Sequence, residues 1–96
     1  MTFSEARAAM SQGARVRRGA WTADRPSFLV LIPGREIAVT YAPMTDHVGD
    51  GTRMLVADHM DAVFLPRPGT IQDKPLCVVG YWLSADDVSA SDWFRV

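Results

Sequence analysis

Cysteine is nearly missing from this chain: Cys77 is the only one among 96 residues. No intrachain disulfide can form, a cysteine-rich zinc site is excluded, and a reducing cytoplasm suits the composition. Positive charge is also scarce, with 10 Lys and Arg against 11 Asp and Glu, a net charge of −1. Without a broad basic field, duplex DNA is not an expected partner. No apolar run approaches the ~20 residues of a spanning helix, and Glu5 interrupts an N-terminal stretch that reads as neither signal peptide nor anchor. Phosphate-cradling glycine loops are lacking too, because Gly49 and Gly51 open no helix and precede no lysine. A serine nucleophile at Ser84 would need a base, and no histidine lies near it in sequence. His59 with Asp58 and Asp61 falls short of a metal-ligand set at a recognised spacing, so no metal and no other cofactor is expected.

What is present suits one soluble domain over residues 1–96. Hydrophobic residues make up 48% of the chain and charged ones 22%, which separates it from disordered compositions. Thr2 and Glu5 form a capping box, so a helix should begin at Phe3, with Phe3, Ala6, Ala9 and Met10 on one face, Arg7 and Gln12 away from it, and Gly13 as the stop. Arg15 to Arg18 reads as a first strand and the run from Ser27 to Gly34 as a second, with Phe28 to Leu31 buried on both faces. One of those faces could be a subunit contact. Glu36 to Tyr41 reads as a third strand, Pro43 to Gly51 as a polar loop, and Arg53 to Phe64 as further strand with a break near Asp58. Leu76 to Leu83 looks like the strongest strand, interrupted at Gly80. Ser84 and Asp87 then cap a short helix, and Asp92 to Val96 closes the chain as a strand. The expected fold class is α+β, a mostly antiparallel sheet wrapped around the N-terminal helix.

Two clusters carry side chains with ligand chemistry. Arg15, Arg17 and Arg18 precede Trp21; a guanidinium matches two phosphate oxygens and an indole face suits a purine. On a strand Arg18 shares the face of Val16, while Arg15 and Arg17 share the other. The alternative is a solvated strand edge guarded by arginine. His59 and Asp61 alternate on one strand face, where they suit ribose hydroxyls or a base edge, or else simply satisfy each other. Tyr81 and Trp82 are adjacent and must point opposite ways, so one of them needs a partner outside the core. Trp93 reads as core.

In order and spacing, Phe3-x-x-Ala6, Gly13-x-x-Val16-x-Arg18-x-x-Trp21, the run Phe28 to Gly34, His59-x-Asp61, Ser84-x-x-Asp87 and Ala90-x-Asp92-Trp93 resemble the Thoeris anti-defence family of the second type, small phage proteins. The resemblance spans nearly the whole chain. It implies a non-enzymatic protein in the cytoplasm of the infected bacterial host that sequesters a cyclic immune signalling nucleotide without cleaving it, and so inhibits Thoeris and, in some relatives, CBASS immunity. The implied ligands are glycocyclic ADP-ribose or cyclic dinucleotides, held by a homotetramer. The candidate ligand-binding residues are Arg18, Trp21, Phe28, His59, Asp61, Tyr81 and Trp82, with Trp21 stacking a base and Arg18 meeting phosphate. Two positions depart from the family pattern: Asp58 stands where a proline is usual, placing negative charge near an anion site, and Tyr81 stands where a Trp is usual. A hydrolase of the same signal and a structural interaction module are the competing readings.

Overall fold

The computed structural model describes all 96 residues. Helix α1, Phe3–Met10, starts at Thr2, whose hydroxyl accepts from the Glu5 amide while the Glu5 carboxylate accepts from the Thr2 amide. Both groups satisfy donors that the first helical turn leaves free. Strands β1 (Val16–Arg18), β2 (Phe28–Ile32), β5 (His59–Phe64), β6 (Leu76–Val78) and β7 (Trp93–Arg95) form one antiparallel sheet in the order β6-β5-β2-β1-β7. Its ladder sets Val16 opposite both Leu29 and Arg95, and Leu29 opposite Ala62. The β7 edge is covered at one point: Trp93 donates to the Met1 carbonyl at 3.1 Å.

Alternation then sorts the side chains. Val16, Leu29, Ala62 and Trp93 share the face on which α1 lies, and with Ala6, Ala9, Met10 and Trp21 they make the core. The helix alanines are small, so α1 settles close to the sheet. Phe3 packs tilted on Trp93 with ring centroids 5.3 Å apart, and Trp21 meets Trp93 edge-on at 5.2 Å. The opposite face carries Phe28, Val30, Asp61 and Val63; Phe28 is buried beneath the Arg15 guanidinium, 4.8 Å from its ring centroid. Of the expected two-sided burial, Phe28 and Leu29 are buried while Val30 and Leu31 are half-buried.

Three expectations are corrected. Pro43 to Gly51 is not all loop: Met44–Val48 forms helix α2, followed by Gly49 at φ +94°. The stretch from Arg53 to Phe64 divides between two sheets, because β4 (Arg53–Val56) pairs only with β3 (Arg35–Ala38), whereas β5 joins the main sheet. Leu76 to Leu83 is strand only as far as Val78. Gly80 at φ +71° then turns the chain, which is why the apolar run breaks off.

The β3-α2-β4 unit forms an arm whose own small centre includes the fully buried Val39. Its strands lie outside the main sheet, and the molecule measures 44 × 35 × 23 Å with a radius of gyration of 16.0 Å, against about 12.5 Å for a compact chain of this length.

Candidate functional site

Helix α3, Ala85–Ser89, opens on Ser84, and Asp87 closes the capping box expected there. Asp87 does more than cap. Its side chain is 3% exposed, with Oδ1 accepting from Arg18 Nη1 at 2.9 Å and from Trp21 Nε1 at 3.1 Å, and Oδ2 accepting from Arg25 Nη2 at 3.2 Å. Its carbonyl accepts from Trp93 Nε1 at 2.9 Å. One carboxylate thus ties β1, the following loop and α3 together. Burial pushes its pKa up, but the hydrogen bonds from Arg18, Trp21 and Ser84 outweigh that and hold it at about 2.

The same contacts occupy two of the sequence candidates. Arg18 lies on the core face, as its spacing from Val16 predicts, and spends its guanidinium on Asp92, at 2.8 Å, as well as on Asp87. The two carboxylates raise its pKa, and Arg18 in turn holds that of Asp92 low. Trp21 is 8% exposed, with the Arg25 guanidinium 5.5 Å from its ring centroid and Trp93 against it. Neither an open indole face nor an uncommitted guanidinium remains within the chain at this point. The hollow beside them, about 270 Å³, carries Asp86 and Asp87 against Arg18 and Arg25, so its charges balance.

A larger cleft, about 480 Å³, lies between α1 and the segment Gly80 to Leu83, within the size range of small-molecule sites. Phe3, Leu31, Met60, Tyr81 and Trp82 wall it, and Arg7 stands at its side. Tyr81 is half-buried against the core and Trp82 is 92% exposed; because the strand ends at Val78, the strand alternation expected for the pair does not apply, and both line the same cleft. Arg7 makes no ion pair, unlike Arg18. His59 and Asp58 form part of the rim. A second hollow of about 410 Å³ continues past the shared residues Leu31 and Asp58 towards Ser11 and Gly13. Asp58 is itself engaged, accepting from the Gly34 amide at the root of the arm.

Of the seven candidates, then, His59, Tyr81 and Trp82 meet in one cleft, Arg18 and Trp21 meet around Asp87, and Phe28 lies on the other face of the sheet. The His59 ring reaches the Ala57 carbonyl at 2.9 Å and Asp61 at 3.5 Å, the mutual satisfaction that one reading of this pair anticipated. Asp61 does not line the cleft; its carboxylate accepts from the Gly80 amide. Arg7, which the sequence pattern set away from the face of Phe3, lines the same cleft as Phe3, a correction that follows from their spacing of four positions on α1.

Cys77 lies against the Asp61 carboxylate; local desolvation and that neighbouring charge push its thiol pKa up. A nucleophilic cysteine needs the reverse, an imidazole beside the sulfur and the carboxylate behind the imidazole. No group of three or more His, Cys, Asp or Glu side chains converges to hold a metal ion, and no helix is long and apolar enough to cross a membrane.

No curated protein matches the chain. The Tad2-like family, described as the Thoeris anti-defense 2-like domain, matches it over residues 1–96. An N-terminal helix on an antiparallel sheet, with both tryptophan-bearing ends folded into one core, is therefore the fold of a chain that belongs to the Thoeris anti-defense 2-like family.

Proposed function

We propose that this protein inhibits Thoeris immunity by capturing a cyclic signalling nucleotide in the cleft between α1 and the Gly80 to Leu83 segment, and that it releases the ligand unaltered. The carrying observation is the indole of Trp82, 92% exposed at the lip of an apolar cleft whose side holds the unpaired Arg7. An exposed indole gives a base a stacking surface at about 1 to 3 kcal/mol, and a guanidinium without a carboxylate partner is free to meet a phosphate. Met60, Leu31 and Phe3 supply the apolar floor beneath both contacts. Glycocyclic ADP-ribose and cyclic dinucleotides offer this combination of base and phosphate. Sequestration rather than hydrolysis is favoured because both bases on the rim are engaged, Asp58 by the Gly34 amide and His59 by the Ala57 carbonyl and Asp61, while Cys77 lies outside the cleft. A homotetramer completes the proposal, since the cleft is open on the side of Trp82.

The test is titration calorimetry with glycocyclic ADP-ribose and with cyclic di-AMP, followed by heating and analysis of the released nucleotide. At least one should bind and be recovered intact. Trp82→Ala and Arg7→Ala should each weaken binding by about five- to a hundredfold, with circular dichroism unchanged. Recovery of a cleaved product would replace sequestration by catalysis, and unchanged binding in both variants would remove the cleft from the reading.

A further inference from the structure

We infer that Asp61 is a positioning residue, which from the outer face of the sheet fixes the Gly80 turn and so sets where Tyr81 and Trp82 stand in the cleft. This inference rests on the reading of the cleft as the binding site.

Regular pairing of β6 with β5 ends at Val78, opposite Ala62. Beyond it the chain leaves the ladder, and two bonds reach back to β5. The Gly80 amide donates to Asp61 Oδ1 at 3.2 Å, and the Tyr81 amide donates to the Met60 carbonyl at 2.7 Å. Gly80 adopts φ +71° between Val79, 70% exposed, and the Tyr81–Trp82 pair. The direction in which the two aromatics leave the sheet is therefore decided at this residue. Trp82 makes no side-chain hydrogen bond of its own and packs on little, so its place is inherited from the backbone.

Asp61 suits this task. Opposite Val30 and adjacent to Ala62, whose side chain enters the core, it must point to the face away from α1. Its side chain is 13% exposed, so water contributes little to holding the Gly80 amide. A carboxylate acceptor makes the stronger, charge-assisted bond. His59 Nε2 at 3.5 Å and the Cys77 thiol close in on the same carboxylate from the two neighbouring strand positions and keep it in place. The side chain most suited by chemistry to touch ribose is thereby committed to the scaffold beneath the aromatic wall.

Amide hydrogen exchange by NMR tests this without any ligand. In Asp61→Ala the Gly80 amide should exchange at least about tenfold faster than in the parent, as expected for loss of a charged acceptor, and Asp61→Asn, which keeps an acceptor oxygen, should restore most of the protection. Gly80→Ala is the second route: a Cβ there meets no atom within 4 Å, so the substitution strains the turn without a clash, and it stays informative should Asp61→Ala fail to fold. Binding of glycocyclic ADP-ribose and cyclic di-AMP should fall about tenfold in Asp61→Ala and Gly80→Ala and stay near parental in Asp61→Asn. Unchanged Gly80 exchange in Asp61→Ala overturns the inference even if Trp82→Ala abolishes binding. Faster exchange with parental affinity overturns the positioning role. Faster exchange when Trp82→Ala binds as the parent does instead leaves the latch standing and removes the cleft reading.

Discussion

Asp87 is the residue on which the protein's acid stability should turn. Its pKa of about 2 lies below the ordinary carboxylate value of about 3.9 for an unfolded chain. A depressed folded-state pKa contributes stability that is complete above about pH 4 and lost as pH falls through about 2. The shift corresponds to about 2 to 3 kcal/mol, little screened because the Asp87 side chain is 3% exposed. Urea unfolding followed from pH 7 to pH 2 should show the loss concentrated below pH 4. Asp87→Ala should cost about 2 to 4 kcal/mol at pH 7, since it leaves the buried Trp21 N–H and Arg25 without their acceptor while Arg18 keeps Asp92, and should flatten that acid limb. A parental unfolding midpoint in Asp87→Ala would show the hub to be dispensable. At this scale the sequence was only partly legible. The spacing of Ser84 and Asp87 announced a cap, and the alternation of Val16 and Arg18 placed Arg18 on the inner face. Neither told that a carboxylate nearly seventy residues on would claim Arg18 and the Trp21 N–H together, because a partner brought in by a distant helix leaves no trace in local spacing.

Elements with local signatures were the readable ones. The capping boxes at Thr2 and Ser84 and the left-handed Gly13 all appear where composition placed them. Helix α3 has only five residues, too few to be stable alone, so its cap matters more than usual. Ser84→Ala removes the acceptor of the Asp87 amide and should cost about 1 kcal/mol, read from the urea midpoint at pH 7. A loss well beyond that would mean that Ser84 also sets the Asp87 carboxylate. Helix α2 was illegible because Pro43 offers no side-chain cap and no buried residue gives the helix a periodic face. The run from Leu76 to Leu83 misled for the opposite reason. Its β-branched and aromatic composition fits a strand, yet Asp61 and Met60 draw the Gly80 and Tyr81 amides out of the ladder. The cleft shared that fate: one of Tyr81 and Trp82 was recognised as needing a partner outside the core, but Arg7 was not joined to them, since α1 and the Gly80 turn meet only in the tertiary structure.

For the molecule as a whole, apolar surface is the prominent property. Ile71 and Trp82 are fully or almost fully exposed, with Leu55 at 82% and Val79 at 70%. Side chains of this size left in water favour association. Light scattering at micromolar concentration should report a multiple of the 10.6 kDa chain, four by the assembly proposed above. A clean monomer would confine the site to the single-chain cleft.

The arm carries a different consequence, one of modularity. Ile32 and His59 face each other across the β2–β5 ladder at the point where the arm leaves and returns. Topologically, residues 33–58 are a cassette inserted into a β-hairpin, and the five-stranded sheet with α1 is complete without them. Closure entropy changes only with the logarithm of loop length, so exchanging this cassette for a tight turn alters it by less than about 2 kcal/mol. The shape and chemistry of the arm are thus free to diverge while the sheet, the Asp87 hub and the Asp61 latch stay as they are.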